Sequence, residues 1–198
     1  MLNKIVAATT NPGKVREIKK ILSEYEVLSL ADVGISVDVE ENGETFRENA
    51  YIKAYEISKL CDLPVLADDS GLEVEALGGR PGVYSARYAG EDAPYSVKIA
   101  ALAEELKDIP KDERRAQFAC AVCLILPDGK KIEAQGVSCP GILLETPRGE
   151  NGFGYDPVFY CPDYGKTFSE MSMEEKNAVS HRNAALIALL NKIKGENL

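Results

Sequence analysis

Residues 66–88 read LADDSGLEVEALGGRPGVYSARY, and the first four of them decide the fold. With Pro64 and Val65, Leu66 and Ala67 form a short apolar run, the pattern of a buried strand. Asp68, Asp69, Ser70 and Gly71 follow directly. Acid residues at the carboxyl end of such a strand lie where open α/β sheets bind ligands. A second dense patch comprises Gly78, Gly79, Pro81 and Gly82, then Tyr84, Ser85 and Arg87. Asp, Ser and Gly also recur in plain turns because they hydrogen-bond locally. A capped strand end with a glycine-rich loop and a ligand site therefore both stand at this point.

Toward the N-terminus, Lys4 to Ala8 is an apolar, β-branched run and predicts a strand. Thr9, Thr10, Asn11, Pro12, Gly13 and Lys14 make a turn. Val15, Ile18, Ile21 and Leu22 then recur at helical spacing, with Arg16, Glu17, Lys19 and Lys20 assigned to the opposite face. Asn11 suits the N-cap and Pro12 the first helical position. A strand, a tight turn and a helix N-terminus offer backbone N–H groups to an anion, with Lys14 beside them. The Walker pattern fails, because Ala8 and Val15 stand where a P-loop has Gly and Ser or Thr. A metal would then depend on carboxylates elsewhere. An ordinary βα turn with a surface lysine is the competing reading.

The rest of the chain alternates in the same manner. Val27–Leu30 and Ile35–Val39 predict short strands, followed by Glu40, Glu41 and Glu44. Thr45-x-x-Glu48 is a capping box opening a helix to about Leu60. Ala50, Ala54 and Ile57 form its apolar stripe; Glu48, Asn49, Lys53 and Glu56 carry polar groups. Pro94–Leu106 predicts a helix with Val97, Ala100, Ala101, Leu102 and Leu106 apolar. Arg114–Leu126 predicts a long strand, turning at Pro127-Asp128-Gly129 into a hairpin partner over Lys131–Ser138. Residues 139–147 read as extended and Val158–Tyr160 as a short strand. Between them, residues 150–157 are a loop in which Phe153 stands between Gly152 and Gly154, either a simple turn or a platform on which a base stacks. Ser172-x-x-Glu175 is a second capping box. Lys176, Ser180, His181 and Arg182 cluster before a helix whose apolar residues are Ala185, Leu186, Leu189, Leu190 and Ile193. Basic groups at a helix start oppose the dipole, so a separate anion or an acceptor is expected to hold them.

Bulk composition narrows the classes. The chain has 198 residues, 45% hydrophobic and 28% charged, as an ordinary globular protein of one large domain or two lobes. No run approaches the roughly 18 apolar residues of a membrane span, and the first residues lack the pattern of a signal peptide. A formal charge of −9 argues against a nucleic-acid surface but not against an anionic small molecule met by local cations. The five cysteines are odd in number and scattered, and predict reduced packing residues in a cytosolic protein. Cys120 and Cys123 would face opposite sides of their strand. With His181 the only histidine, a zinc site is not expected.

Five blocks, in order, carry a resemblance: TTNPGK at 9–14, ENA-x-x-KA at 48–54, ADDSGL-x-V-x-AL-x-G-x-PGVYSARY at 67–88, GFGYDPVF at 152–159, and the F-x-E, K and SHR elements at 168–182. The chain resembles the noncanonical purine nucleoside triphosphate pyrophosphatases of the inosine/xanthosine triphosphate type, from Ile5 to about Leu190. The resemblance implies a two-lobed α/β fold with a long mixed β-sheet flanked by helices and the active site in the cleft between lobes. It implies a cytoplasmic homodimer that hydrolyses dITP, ITP and XTP to the monophosphate and pyrophosphate with Mg2+. By the same resemblance, Thr9, Thr10, Asn11, Pro12, Gly13 and Lys14 hold the triphosphate, with Lys53 beside it. Glu41 and Asp69 bind the metal, Glu40 and Glu44 remaining alternatives to Glu41, and Asp69 is the proton acceptor. Ser70, Phe153, Gly154, Tyr155, Asp156, Lys176, His181 and Arg182 hold the nucleotide and read its base.

Overall fold

The structure, a computed structural model, describes residues 3–195. Its strands are β1 (Lys4–Ala7), β2 (Glu26–Ser29), β3 (Val65–Val74), β4 (Arg115–Ile125), β5 (Lys131–Val137), β6 (Gly141–Leu143), β7 (Phe159–Cys161) and β8 (Lys166–Thr167). Its helices are α1 (Pro12–Ile21), α2 (Phe46–Ser58), α3 (Tyr95–Glu105), α4 (Met173–Val179) and α5 (His181–Gly195). The strands form one mixed sheet in the order β2-β1-β3-β4-β6-β7-β8, with β5 paired to β4. The expected long mixed sheet is therefore present. The chain divides into two compact units.

The first unit comprises the chain up to Asp69, Cys120–Val137, and the chain from His181 onward. β1 pairs in parallel with β2 (Ile5↔Val27) and with β3 (Val6↔Val65). Alternate residues of a strand point to opposite faces, and both faces are covered. Ile5, Ala7 and Leu66 pack with Ile18 of α1 and its C-cap Leu22, and with Ala185, Leu186, Leu189, Leu190 and Ile193 of α5. Val6, Val65 and Ala67 pack with Ala50, Ala54 and Ile57 of α2. Cys120 lies in the first of these cores and Cys123 in the second, as their spacing requires.

The second unit comprises Ser70–Ala119 and Ser138–Ser180. Its core joins Leu72 and Val74 of β3, Leu102 of α3, and the rings of Phe118, Phe159 and Phe168. Phe159 lies 4.9 Å from Phe118 and 4.6 Å from Phe168 between ring centroids. The antiparallel pairs β4–β6, β6–β7 and β7–β8 lie here.

Four sequence expectations need correction. Ile35–Val39 forms no strand; Ile35 and Val39 pack against the α2 core as irregular chain without a ladder partner. Asp68 and Asp69 do not terminate β3, which runs on to Val74 because β4 pairs with it beyond the short β1. Glu17 is buried although its helix position looked polar. On α3, Val97 is exposed, while Lys98 turns inward and donates to the carbonyl of Ala86.

Candidate active site

β3 separates its two neighbouring aspartates by the alternation of a strand. Asp68 follows Leu66 toward α1 and α5, and Asp69 follows Ala67 toward α2. Each meets its own cations there.

On the Asp68 side, the turn at 9–14 ends in α1. Asn11 is its N-cap and Oδ1 accepts from the N–H groups of Gly13 (2.8 Å) and Lys14 (3.3 Å). Thr9 Oγ1 accepts from Asn11 N–H at 3.2 Å. Two amides expected to face an anion are thus already capped. What this turn presents is the positive helix end and the Lys14 ammonium, 3.0 Å from Asp68 Oδ2. Arg182, in the first turn of α5, donates to the same oxygen from Nε (3.1 Å) and Nη2 (2.9 Å), and from Nη1 to Glu17. The acceptor expected for a basic helix start is this pair of carboxylates. Arg182 and Asp68 are each 1% exposed. Burial alone would raise the Asp68 pKa, but Lys14, Arg182 and Lys53 outweigh it and hold the carboxyl well below its usual range. Burial also opposes the charge on Arg182, and Asp68 and Glu17 overcome that, keeping the guanidinium firmly protonated. Asp68 Oδ1 is buried without a hydrogen-bond partner among the described residues.

On the Asp69 side, α2 contributes Asn49 and Lys53, four residues apart and so on one helix face. Asn49 Nδ2 donates to Asp69 Oδ2 at 3.1 Å, and Lys53 Nζ donates to Asp69 Oδ1 at 3.5 Å. Lys53 Nζ also lies 3.0 Å from Glu41 Oε1, in the segment preceding α2. Burial is the largest influence on Lys53 and favours its neutral form, but Asp69, Glu41 and Asp68 outweigh it and keep the ammonium charged. Burial dominates at Glu41; although Lys53 works against it, Asp69 adds to it, and the carboxyl sits above its ordinary range. Glu41 and Asp69 thus already hold one cation between them. Their hard oxygen donors suit a divalent ion such as magnesium, which commonly takes one or two carboxylates and completes its shell with phosphate and water.

In the second unit, the loop 150–157 folds over Asp156. Asp156 Oδ2 accepts from the Phe153 N–H at 2.9 Å and from Lys176 Nζ at 2.7 Å. Lys176 Nζ also stands 4.7 Å from the centroid of the half-buried Phe153 ring. Gly152 has φ of 77°, and a Cβ there would meet Asp156 Oδ2 at 2.2 Å, so only glycine fits. Tyr155 donates to the Ser85 carbonyl at 3.0 Å and meets Tyr95 edge-on at 5.3 Å. Gly154 lies against the same Tyr95 ring. Ser70 sits in β3, at the first position of this unit.

A family model described as the Ham1 family matches residues 5–192. The chain belongs to the Ham1 family. The resemblance carried by the five sequence blocks is borne out at that level. Among its relatives, a dITP/XTP pyrophosphatase of Clostridium perfringens is 49% identical over 98% of either chain. One of Thermus thermophilus is 52% identical over 96% of this chain and 92% of its own. Among solved structures, the Ham1 protein of Staphylococcus aureus matches with a TM-score of 0.85 at 42% identity, covering 98% of this chain and all of the other (100%). The HAM1 protein of Coxiella burnetii also gives 0.85, at 39% identity over 98% and 99%.

The residues that sequence reasoning passed over are those that hold others in place. Glu17 anchors Arg182, and Asn49 anchors Asp69. The ENA-x-x-KA block, with Asn49 four residues before Lys53, is the signal that could have singled it out.

Proposed function

We propose that this chain is a nucleoside triphosphate pyrophosphatase that hydrolyses dITP, ITP and XTP to the monophosphate and pyrophosphate. It thereby removes deaminated purines from the nucleotide pool. The observation that carries the proposal is Asp69: a strand carboxylate held by Asn49 and Lys53, one residue from the Asp68 that holds Lys14. The names of the dITP/XTP pyrophosphatases that share about half of this sequence support the same activity.

In this proposal residues 9–14 receive the triphosphate, Lys14 and the α1 N-terminus offsetting its charge. Lys53, held charged by its carboxylates, lies beside the phosphates. Water attacks the α-phosphorus; its oxygen forms the new P–O bond while Asp69 accepts the proton. The bond to the bridging oxygen breaks, and pyrophosphate leaves with the electron pair. Such displacement depends chiefly on positioning and charge neutralisation. Glu41 and Asp69 would hold magnesium, whose contribution when bound is Lewis-acid neutralisation of phosphate charge. The enzyme acts as one catalytic domain, in a cytoplasmic homodimer.

For the base, Phe153 supplies a stacking face, while Gly154, Tyr155 and the Asp156–Lys176 pair set its surroundings, with Ser70 toward the nucleotide. A 6-oxo purine accepts a hydrogen bond from the start of α5, at His181 and Arg182. Because the Arg182 guanidinium is engaged by Asp68 and Glu17, the backbone N–H groups of that first turn are the favoured donors. Adenine would turn its own amino donor toward them, a mismatch worth on the order of 10⁴-fold in a dry site.

Pyrophosphate release from dITP, ITP, XTP, ATP, GTP and modified pyrimidine triphosphates, with and without magnesium, tests this. The expected result is magnesium-dependent release from the first three, abolished in Asp69→Asn while the fold is kept. Full activity of Asp69→Asn would remove Asp69 from the mechanism. Binding of ITP without turnover would make the chain a nucleotide-binding regulator instead.

A further inference from the structure

Asn49 is fully buried, at 0% exposure, on the face of α2 that also carries Lys53. Its carboxamide has two partners of opposite kind. Nδ2 donates to Asp69 Oδ2 at 3.1 Å, and Oδ1 accepts from the Gly43 N–H at 2.8 Å. A backbone N–H can only donate and an ionised carboxylate can only accept, so the amide has one orientation that satisfies both. Ionised aspartate at this position would keep the acceptor, lose the donor and set a like charge against Asp69. Alanine or leucine would lose both.

The two contacts tie separate pieces of chain together. Asp69 belongs to β3, while Gly43 lies two residues after Glu41 in the irregular segment before α2. Lys53 already bridges Glu41 and Asp69 through its ammonium. That bridge is a point charge with little angular preference. The Asn49 amide adds direction, assigning one Asp69 oxygen to itself and leaving the other toward Lys53. Gly43 fits tightly against it: a Cβ there would stand 2.7 Å from Asn49 Oδ1 and 2.7 Å from Glu48 Cβ. The turn carrying Glu41 is therefore pressed onto the amide at a contact no larger residue could make without displacing it.

We propose that Asn49 is a positioning residue for triphosphate hydrolysis, its carboxamide setting the carboxylate of Asp69 and the Glu41 turn in fixed register to each other. This rests on the proposed role of Asp69 as proton acceptor. Residues that orient a reacting carboxylate in this manner contribute about 10- to 100-fold to activity. Their loss appears in kcat more than in KM, because the substrate is still bound but meets a misdirected acceptor.

The test compares Asn49→Asp and Asn49→Ala with the unaltered enzyme in steady-state kinetics with ITP, together with amide hydrogen exchange at Gly43 in the substrate-free protein. In the unaltered protein the Gly43 N–H is protected. Asn49→Asp lowers kcat by about 10- to 100-fold with KM changed by less than about threefold, and Gly43 stays protected. Asn49→Ala lowers kcat at least as far, and Gly43 exchanges quickly. The proposal is overturned if both variants keep kcat within about threefold of the unaltered enzyme, whatever their melting temperatures. It is also overturned if Gly43 in the unaltered protein exchanges as fast as an exposed loop. Should Asn49→Ala not fold, Asn49→Asp and the Gly43 measurement still decide. Asp69→Asn assayed alongside separates the two claims: if that variant turns over normally the role of Asp69 falls, while the Asn49 clamp is still judged by exchange at Gly43.

Discussion

Replacing Arg182 with methionine removes a side chain that serves both Asp68 and Glu17, and the consequence can be worked from their geometry. All three are buried, and the guanidinium supplies two hydrogen bonds to Asp68 Oδ2 and one to Glu17. Methionine fills similar volume, so the main loss is electrostatic. Removing one partner of a buried ion pair costs about 3–5 kcal/mol, because a charge is left behind in a poorly polarisable interior. Two carboxylates depend on Arg182, which raises the figure; Asp68 keeps Lys14 at 3.0 Å, which lowers it. We therefore expect a loss of about 4 kcal/mol. For a chain of this length each kcal/mol moves the melting temperature by about 2–4 °C, so Arg182→Met should melt about 8–16 °C lower. Urea unfolding followed by circular dichroism reads the same quantity as a lower midpoint at unchanged slope. Adding Glu17→Leu to Arg182→Met should recover part of the loss, since a buried carboxylate that faced the guanidinium is removed as well. A loss below about 1 kcal/mol, or strict additivity of the two changes, would refute a buried network organised on Arg182.

Two further outcomes follow from the same structure. Lys14→Ala should weaken ITP binding by roughly 10- to 100-fold and inosine monophosphate far less, since the proposed mechanism sets the ammonium beside Asp68 against phosphate charge; equal effects in a competition assay would make the turn structural. Burial pushes the Cys120 and Cys123 thiols up to about 12. At pH 8 only about one in ten thousand would be thiolate, so both should resist a thiol reagent in the native state and react on unfolding. Rapid native labelling of either would contradict their placement.

Much of the first unit was legible because its signals are local. Asn11, Pro12 and the Thr45–Glu48 box act within one turn of helix, and each is found where the sequence places it. The two cysteines of the C-x-x-C face different cores because strand alternation leaves no other outcome. What was not legible is non-local. Glu17 reads as a polar helix position until Arg182, 165 residues away, is seen to need it. β3 reads as ending at its acid residues because its next ladder partner lies some 50 residues further on, in β4. Ile35 and Val39 carry strand-like side chains, but a strand needs a neighbour and these residues have only a core to pack against. At the candidate site, the chemistry-bearing types announced themselves by motif; Asn49 stood within the ENA-x-x-KA block, but what it does there is not legible until its two partners are known.

The first unit is assembled from three separated stretches of chain, with α5 supplied by the stretch from His181 onward. Five apolar side chains of its core, and the arginine that neutralises Asp68 across 114 residues of sequence, arrive on that helix. During synthesis β1, α1 and β3 must therefore wait, partly uncovered, until α5 has left the ribosome. Fragments cut before His181 should be sticky and protease-sensitive, and neither unit can be produced as a simple contiguous piece.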